Sequence, residues 1–274
     1  MDLNQKWQKS PIIAFDTETS GKYPLESELC EIAAVKWQAG KVVDEYQVLI
    51  KPSHKMSDEV IKIHNITNEM VENAPPVTEV IGSFYDFIQD SVLIAHHSPF
   101  DLGFLAIEFE RVGLKMPSTP VLCSSIISRK AIPESSNHKL QTLVKLLKIK
   151  GGQAHRALDD ARSALELALI CFERIGKEKS LQDLFDFQEI HLTWQSYSLK
   201  DLAAQSSLRP VIEAIQAKDL VQITYQGGSR PGEARTVRPI GIVRNPNGDF
   251  LVAVTDGNTF PKRYRLDKIT KSAY

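Results

Sequence analysis

Apolar positions along the first two-thirds of the chain alternate between short unbroken runs and stripes at helical spacing. Residues 11–15 form an apolar run containing Ile12 and Ile13, which predicts a buried strand leading into Asp16. Residues 30–37 and 42–50 read as two further strands. Gln38-Ala39-Gly40-Lys41 between them is turn-like, so the pair is expected as an antiparallel hairpin in the same sheet. Helical spacing takes over at 58–64 and 77–88, where Val77, Val80, Ile81, Phe84, Phe87 and Ile88 share one stripe. Residues 92–95 read as another buried strand, 100–112 as a helix with Phe104, Leu105 and Phe109 inward, 121–123 as a last short strand, and 139–147 and 157–174 as helices. Strands first, then alternating strands and helices, predict an α/β fold with a mixed sheet flanked by helices.

The pattern weakens after residue 176. Up to residue 208 charges, Gln and Ser dominate without a strong period, and this stretch is expected to be a connector. Beyond Pro210 the texture changes to a short helix at 211–215 and strands at 220–225, 234–243, 250–255 and 262–266. Gly227-Gly228, Asn247-Gly248 and Asp256-Gly257 supply the turns, and together these features predict a small β domain. The expected division is therefore 1–176, a connector 177–208, and 209–274, in keeping with a length of 274 residues.

Composition adds little except through charge and cysteine. The 42% apolar and 24% charged content is that of a soluble globular protein. Cys30, Cys123 and Cys171 are widely spaced and odd in number, which argues against a disulfide framework or a zinc cluster and for a reducing compartment. Residues 1–10 are polar, without a signal-peptide core, and no run approaches the roughly 18 apolar residues of a membrane span. A cytoplasmic protein with no membrane partner is expected. The net charge of −1 hides an asymmetry: residues 209–274 carry 11 Lys+Arg against 6 Asp+Glu, so a basic tail follows an acidic body. A basic tail suits a polyanionic partner.

The chemistry is carried by acids. Asp16 and Glu18 are two apart, which on a strand aims both at one face. Asp160 falls on the apolar stripe of its helix between Ala157 and Ala164, where a carboxylate is costly unless paired or bound to a metal. Asp101 opens the helix after the loop His96-His97-Ser98-Pro99, and His155 precedes Asp160 by five residues, close enough to serve as a general base. Gathered acids repel by roughly 4 kcal/mol per pair at about 4 Å, and divalent cations are the natural compensation. Hard carboxylate oxygens select Mg²⁺ or Mn²⁺, and a pair of such ions points to phosphodiester hydrolysis.

Phe15-Asp16-Thr17-Glu18-Thr19, Phe100-Asp101 and His155-Arg156-Ala157-Leu158-Asp159-Asp160-Ala161 together resemble the three motifs of the DEDDh exonucleases, a family that includes the proofreading subunit of bacterial replicative polymerase. The resemblance implies a ribonuclease-H-like fold and two-ion 3′→5′ exonuclease chemistry that releases nucleoside 5′-monophosphates. It makes Asp16, Glu18, Asp101 and Asp160 the ligands of Mg²⁺ or Mn²⁺ and His155 the general base. Thr17, Thr19, His64 and His96 become candidates to contact the terminal nucleotide. His64-Asn65-Ile66-Thr67 is similar to the family's His-Gly-Ile-Thr, with Asn65 for the glycine, and His97 stands where asparagine is usual. Nucleic acid, DNA ahead of RNA, is the implied partner, with a polymerase or repair protein beside it. Ile223-Thr224-Tyr225, residues 235–239 and 248–253, and residues 263–269 resemble a WYL domain, an SH3-like β-barrel associated with nucleic-acid or nucleotide sensing. The namesake Trp-Tyr-Leu reads Asp249-Phe250-Leu251 here. Arg263 and Arg265 are its candidate phosphate contacts. Two further readings stand beside the nuclease: an inactive adaptor on the same fold, and a nuclease gated by a ligand of the tail.

Overall fold

The structure, a computed structural model, describes residues 1–255 and 260–274; the expected Asp256-Gly257 turn lies outside the described residues. The first sheet is built from β1 (Ile12–Thr19), β2 (Leu29–Gln38), β3 (Lys41–Leu49), β4 (Val92–Ala95) and β5 (Val121–Cys123) in the order β3-β2-β1-β4-β5. The β1–β2–β3 meander is antiparallel, with the two-residue turn Ala39-Gly40 between β2 and β3, while β4 and β5 run parallel to β1. This is the mixed sheet expected. The carboxyl ends of β1, β4 and β5 meet at one edge, the usual ligand end of such sheets.

Helices α1 (Asp58–His64), α2 (Val77–Phe87), α3 (Pro99–Arg111), α4 (Ser124–Ala131), α5 (Leu140–Leu147) and α6 (Ala157–Ile175) follow the hairpin or the later strands. Strand alternation divides the core between the two faces of the sheet. Ile13 and Phe15 of β1 pack with Phe84 of α2 and Leu105 and Phe109 of α3, whereas Ile12 and Ala14 pack with Leu165 and Ala168 of α6. The stretch expected as a connector contains α7 (Leu181–Gln188) and α8 (Leu199–Ala204). It is anchored rather than loose: Leu184 and Phe185 join the α6 face, and Trp194 and Tyr197 join the α3 face. A capping box between Ser180 and Asp183 starts α7.

After α9 (Arg209–Ala217) come β6 (Val221–Tyr225), β7 (Ala234–Val243), β8 (Phe250–Thr255), β9 (Lys262–Arg265) and β10 (Ile269–Ala273). They form an antiparallel sheet in the order β10-β6-β7-β8-β9. The expected SH3-like barrel is here an open sheet, with β9 and β10 at opposite edges and no pairing between them among the described residues. Val211 and Ile215 of α9 pack against Ile223, Val237 and Leu251 on one face of this sheet.

Outside the connector, α4 and β10 are regular elements without a local signal. β10 has one buried residue, Ile269, so it carries no apolar alternation. α4 reads Ser-Ser-Ile-Ile-Ser-Arg-Lys-Ala, and its helicity rests on packing Ile127 into the α6 face rather than on local preference. Among the described residues the longest helix, α6, has 19 residues, and no helix is long and apolar enough to cross a membrane.

Candidate active site

The two faces of β1 sort the acids. Asp16 and Glu18 occupy the alternation positions that face α6, and Asp160 in the first turn of α6 meets them there. One carboxylate oxygen from each of the three lies within 4.8 Å of the others. Thr17 points to the opposite side, toward α3. Its backbone N–H and hydroxyl donate to Asp101 Oδ1 at 3.0 and 2.8 Å. Asp101 therefore approaches the strand from the other face and stands outside the three-acid set while remaining the strongest charged neighbour of Asp16.

Burial and repulsion act together on these groups. Glu18, Asp101 and Asp160 are less than a tenth exposed. Asp16 is held well above the usual carboxylate range, by burial first and then by Asp101, Glu18 and Asp160. Burial likewise raises Glu18 to about 8, with Asp160, Glu31 and Asp101 adding repulsion and Arg156 opposing it. Asp101 rises to about 7 by burial, against the two Thr17 hydrogen bonds, and burial also raises Asp160. Asp160 is itself held in place: the His155 N–H donates to Oδ2 at 2.8 Å and Gln141 Nε2 donates to Oδ1 at 3.1 Å. A hard-oxygen donor set this desolvated and self-repelling fits divalent cations of the Mg²⁺ type.

His155 is exposed in the loop entering α6, with φ at +60°. It lies on a groove of about 900 Å³ that also runs past His96, His97, Arg129, Lys139 and Asp160. The remaining candidates are placed less simply. His64 is 1% exposed, accepts from the Ile66 N–H at Nδ1 and sets Nε2 3.8 Å from Cys30 Sγ. Burial lowers its affinity for a proton, and Glu31, Arg156 and His155 are its charged neighbours, so the buried ring lies beside the acid site. The hydroxyl of Thr17 is committed to Asp101, and that of Thr19 donates to the Gly21 carbonyl at 2.6 Å. His96 has both ring nitrogens engaged, Nδ1 with Ser124 Oγ at 2.9 Å and Nε2 with the His138 carbonyl at 3.0 Å, and burial lowers it to about 4. It is a neutral donor on the groove wall. Asn65 and His97 both have positive φ, at +59° and +72°, which explains why glycine or asparagine suits these two positions.

In the second sheet Arg263 is exposed and borders a cavity of about 700 Å³ shared with Tyr225, Arg230, Arg235, Lys262 and Tyr264. The Arg265 guanidinium is forked onto Asp267, at 3.0 and 2.8 Å.

Glu31 belongs to the site although none of the three motifs contains it. Its carboxylate is fully buried and receives both Arg156 and Gln47. An acid inside the apolar run Leu29-Cys30-Glu31-Ile32-Ala33 was the available signal.

A mixed β3-β2-β1-β4-β5 sheet with acids converging at the ends of its central strands defines a nuclease-type hydrolase of ribonuclease-H-like architecture. Residues 13–168 match the Exonuclease (RNase_T) family model, and residues 206–273 match the WYL domain model. The chain belongs to the exonuclease family and carries a C-terminal WYL domain. It is 37% identical over 162 residues to the PolC-type DNA polymerase III of Oceanobacillus iheyensis, covering 59% of this chain and 11% of that protein. Over 256 residues it is 32% identical to a Mycobacterium tuberculosis protein named as a bifunctional exonuclease/endonuclease, covering 90% of this chain and 36% of the relative. The chain thus spans about a tenth of the one and about a third of the other. Among solved structures, exonuclease X with 5′-overhanging duplex DNA superposes with a TM-score of 0.50 at 24% identity, covering 65% of this chain and 99% of that one. The nuclease domain of 3′hExo, described as a DEDDh family member bound to rAMP, gives 0.52 at 20% identity, covering 62% and 94%. These two likenesses bear on the fold.

Proposed function

We propose that this protein is a metal-dependent exonuclease that shortens nucleic acid from the 3′ end and releases nucleoside 5′-monophosphates. The observation that carries the reading is the convergence of Asp16, Glu18 and Asp160 within 4.8 Å, in a setting that raises the proton affinity of each. Asp16, Glu18, Asp101 and Asp160 would hold two Mg²⁺ or Mn²⁺ ions. When bound, the ions neutralise the cluster and stabilise charge on the phosphodiester and its leaving oxygen. His155, exposed at the mouth of the groove, takes the proton from the attacking water. Arg129 and Lys139 line the same groove and face the phosphates of the incoming strand. DNA stands ahead of RNA as substrate, and a polymerase or repair protein as partner, on the likeness to a DNA polymerase. The buried, unpaired Cys30, Cys123 and Cys171 fit a cytoplasmic setting.

The division into 1–176, 177–208 and 209–274 is part of this reading, with the middle segment folded against the first. The open C-terminal sheet is read as SH3-like, its cavity beside Arg235 and Arg263 taking phosphates of a nucleic acid or nucleotide. The acid cluster and His155 together weigh against an inactive adaptor, and one contact would give a gated nuclease its route from tail to site. A Cβ at Gly241 of β7 would lie 2.5 Å from Tyr23 Cβ, so the tail packs tightly on the loop that leaves the catalytic strand.

The test is incubation of the full chain with 5′-labelled single- and double-stranded DNA and RNA in Mg²⁺, Mn²⁺ or chelator. Progressive shortening that stops in chelator and spares a circular single strand is expected. Rapid nicking of the circle refutes the directional reading.

A further inference from the structure

Glu31 lies beside the acid cluster but has no part in the proposed reaction. It stands in β2 directly across from Glu18 and is 0% exposed. Facing carboxylates on paired strands repel, yet Glu31 has a donor for each of its four acceptor positions. Gln47 Nε2 and Arg156 Nη2 donate to Oε1 at 2.8 and 2.9 Å, and Arg156 Nε and the Ala157 N–H donate to Oε2 at 3.2 and 3.0 Å.

The residue before Arg156 is His155. Its positive φ costs a non-glycine residue about 1–2 kcal/mol and persists only where the surroundings over-determine it. Those surroundings are visible on both sides: the His155 N–H is tied to Asp160 Oδ2, and the next two residues are tied to Glu31. Among the described residues no hydrogen bond holds the exposed imidazole itself, so its place above the groove is set by this backbone frame.

We propose that the Glu31–Arg156 pair is the positioning device for His155: a buried clamp from β2 that fixes where the general base points. The proposal rests on the reading of His155 as the base. The test is a double-mutant cycle on the full chain, read as single-turnover cleavage of a 5′-labelled single-stranded oligodeoxynucleotide in Mg²⁺, with thermal unfolding recorded alongside. Arg156→Ala should slow cleavage about 10- to 100-fold, the cost of a misplaced catalytic group, while half-saturation moves less than about twofold. Arg156→Lys keeps the charge but loses the fork and should fall between Arg156→Ala and wild type; it carries the cycle if Arg156→Ala does not fold. In a His155→Ala background either substitution should change the rate less than about threefold, because the group it positions is gone. Equal losses in both backgrounds, a loss confined to half-saturation, or a wild-type rate for both Arg156 variants overturns the clamp while leaving the base intact. A wild-type rate for His155→Ala removes the base and the clamp together.

Discussion

Raising the pH in the presence of chelator should destabilise this protein, and divalent cations should reverse the effect. Glu18 is displaced from 4.5 to about 8 and Asp101 from 3.8 to about 7. Both folded-state values are raised, so the folded protein binds protons more tightly than the unfolded chain. The associated stability is fully present below about pH 4 and is lost as pH rises through about 7–8. At about 1.4 kcal/mol per unit, the Glu18 displacement alone corresponds to about 5 kcal/mol. Ionising one member hinders the next, so the contributions of Asp16, Asp101 and Asp160 overlap with this figure rather than add to it. A loss of about 3–5 kcal/mol is a large share of the about 5–15 kcal/mol that holds an ordinary domain together. The assay is urea unfolding from pH 5 to 9 in excess EDTA and again in excess Mg²⁺, on wild type and Glu18→Gln. Below about pH 6.5 His64, His96, His97 and His138, whose proton affinity burial lowers, act in the opposite sense; above it stability in EDTA should fall toward about pH 8 and then level off. Mg²⁺ should restore about 2.7 kcal/mol at one hundred times its dissociation constant, with a larger effect at high pH. Glu18→Gln should flatten the EDTA profile. A wild-type EDTA profile that coincides in shape with that of Glu18→Gln from pH 5 to 9 refutes the picture of a desolvated, self-repelling cluster.

Four other outcomes follow from the geometry. His155→Ala should slow single-turnover cleavage by about 10²–10⁴-fold, whereas Asp159→Ala, whose carboxylate faces Arg162 and the Gln153 N–H, should do far less. Thr17→Val removes one of the two donors to Asp101 and should cost about 1.5–3 kcal/mol in urea unfolding measured with Mg²⁺, when Asp101 is ionised. Gly241→Ala should cost about 1–3 kcal/mol of stability, because the added methyl collides with Tyr23; unchanged unfolding would show that the tail and the body do not press together there. Arg263→Ala should flatten the slope of log K against log salt for a single strand by about 0.7, whereas Arg265→Ala, already paired with Asp267, should leave it unchanged.

The sequence disclosed most where one physical signal dominated. Strand β1 and helix α6 were legible because an apolar run and an apolar stripe are strong patterns, and because each carried an acid where an acid is costly. Asp16, Glu18 and Asp160 could be grouped on that ground before their contacts were known. What was not legible depended on partners distant in sequence. Alternation turns Thr17 to the α3 face, but that Asp101, 84 positions later, takes its hydroxyl is not a local property. That the His64 ring is buried depends likewise on Cys30, 34 positions away in sequence. Glu31 acquires meaning from Arg156, 125 positions later. Helix α4 and strand β10 are polar segments made regular by their neighbours, so no local pattern announced them.

The central claim, that the gathered carboxylates serve a metal-dependent reaction at a 3′ end, is tested most directly by one product analysis. The full chain is given a single-stranded oligodeoxynucleotide labelled at its 3′-terminal nucleotide, in Mg²⁺ or in EDTA, as wild type and as Asp16→Ala. The account predicts that the label appears first as a nucleoside 5′-monophosphate with wild type in Mg²⁺, and in neither EDTA nor the variant. Label released as a longer fragment, or released equally by Asp16→Ala, contradicts it.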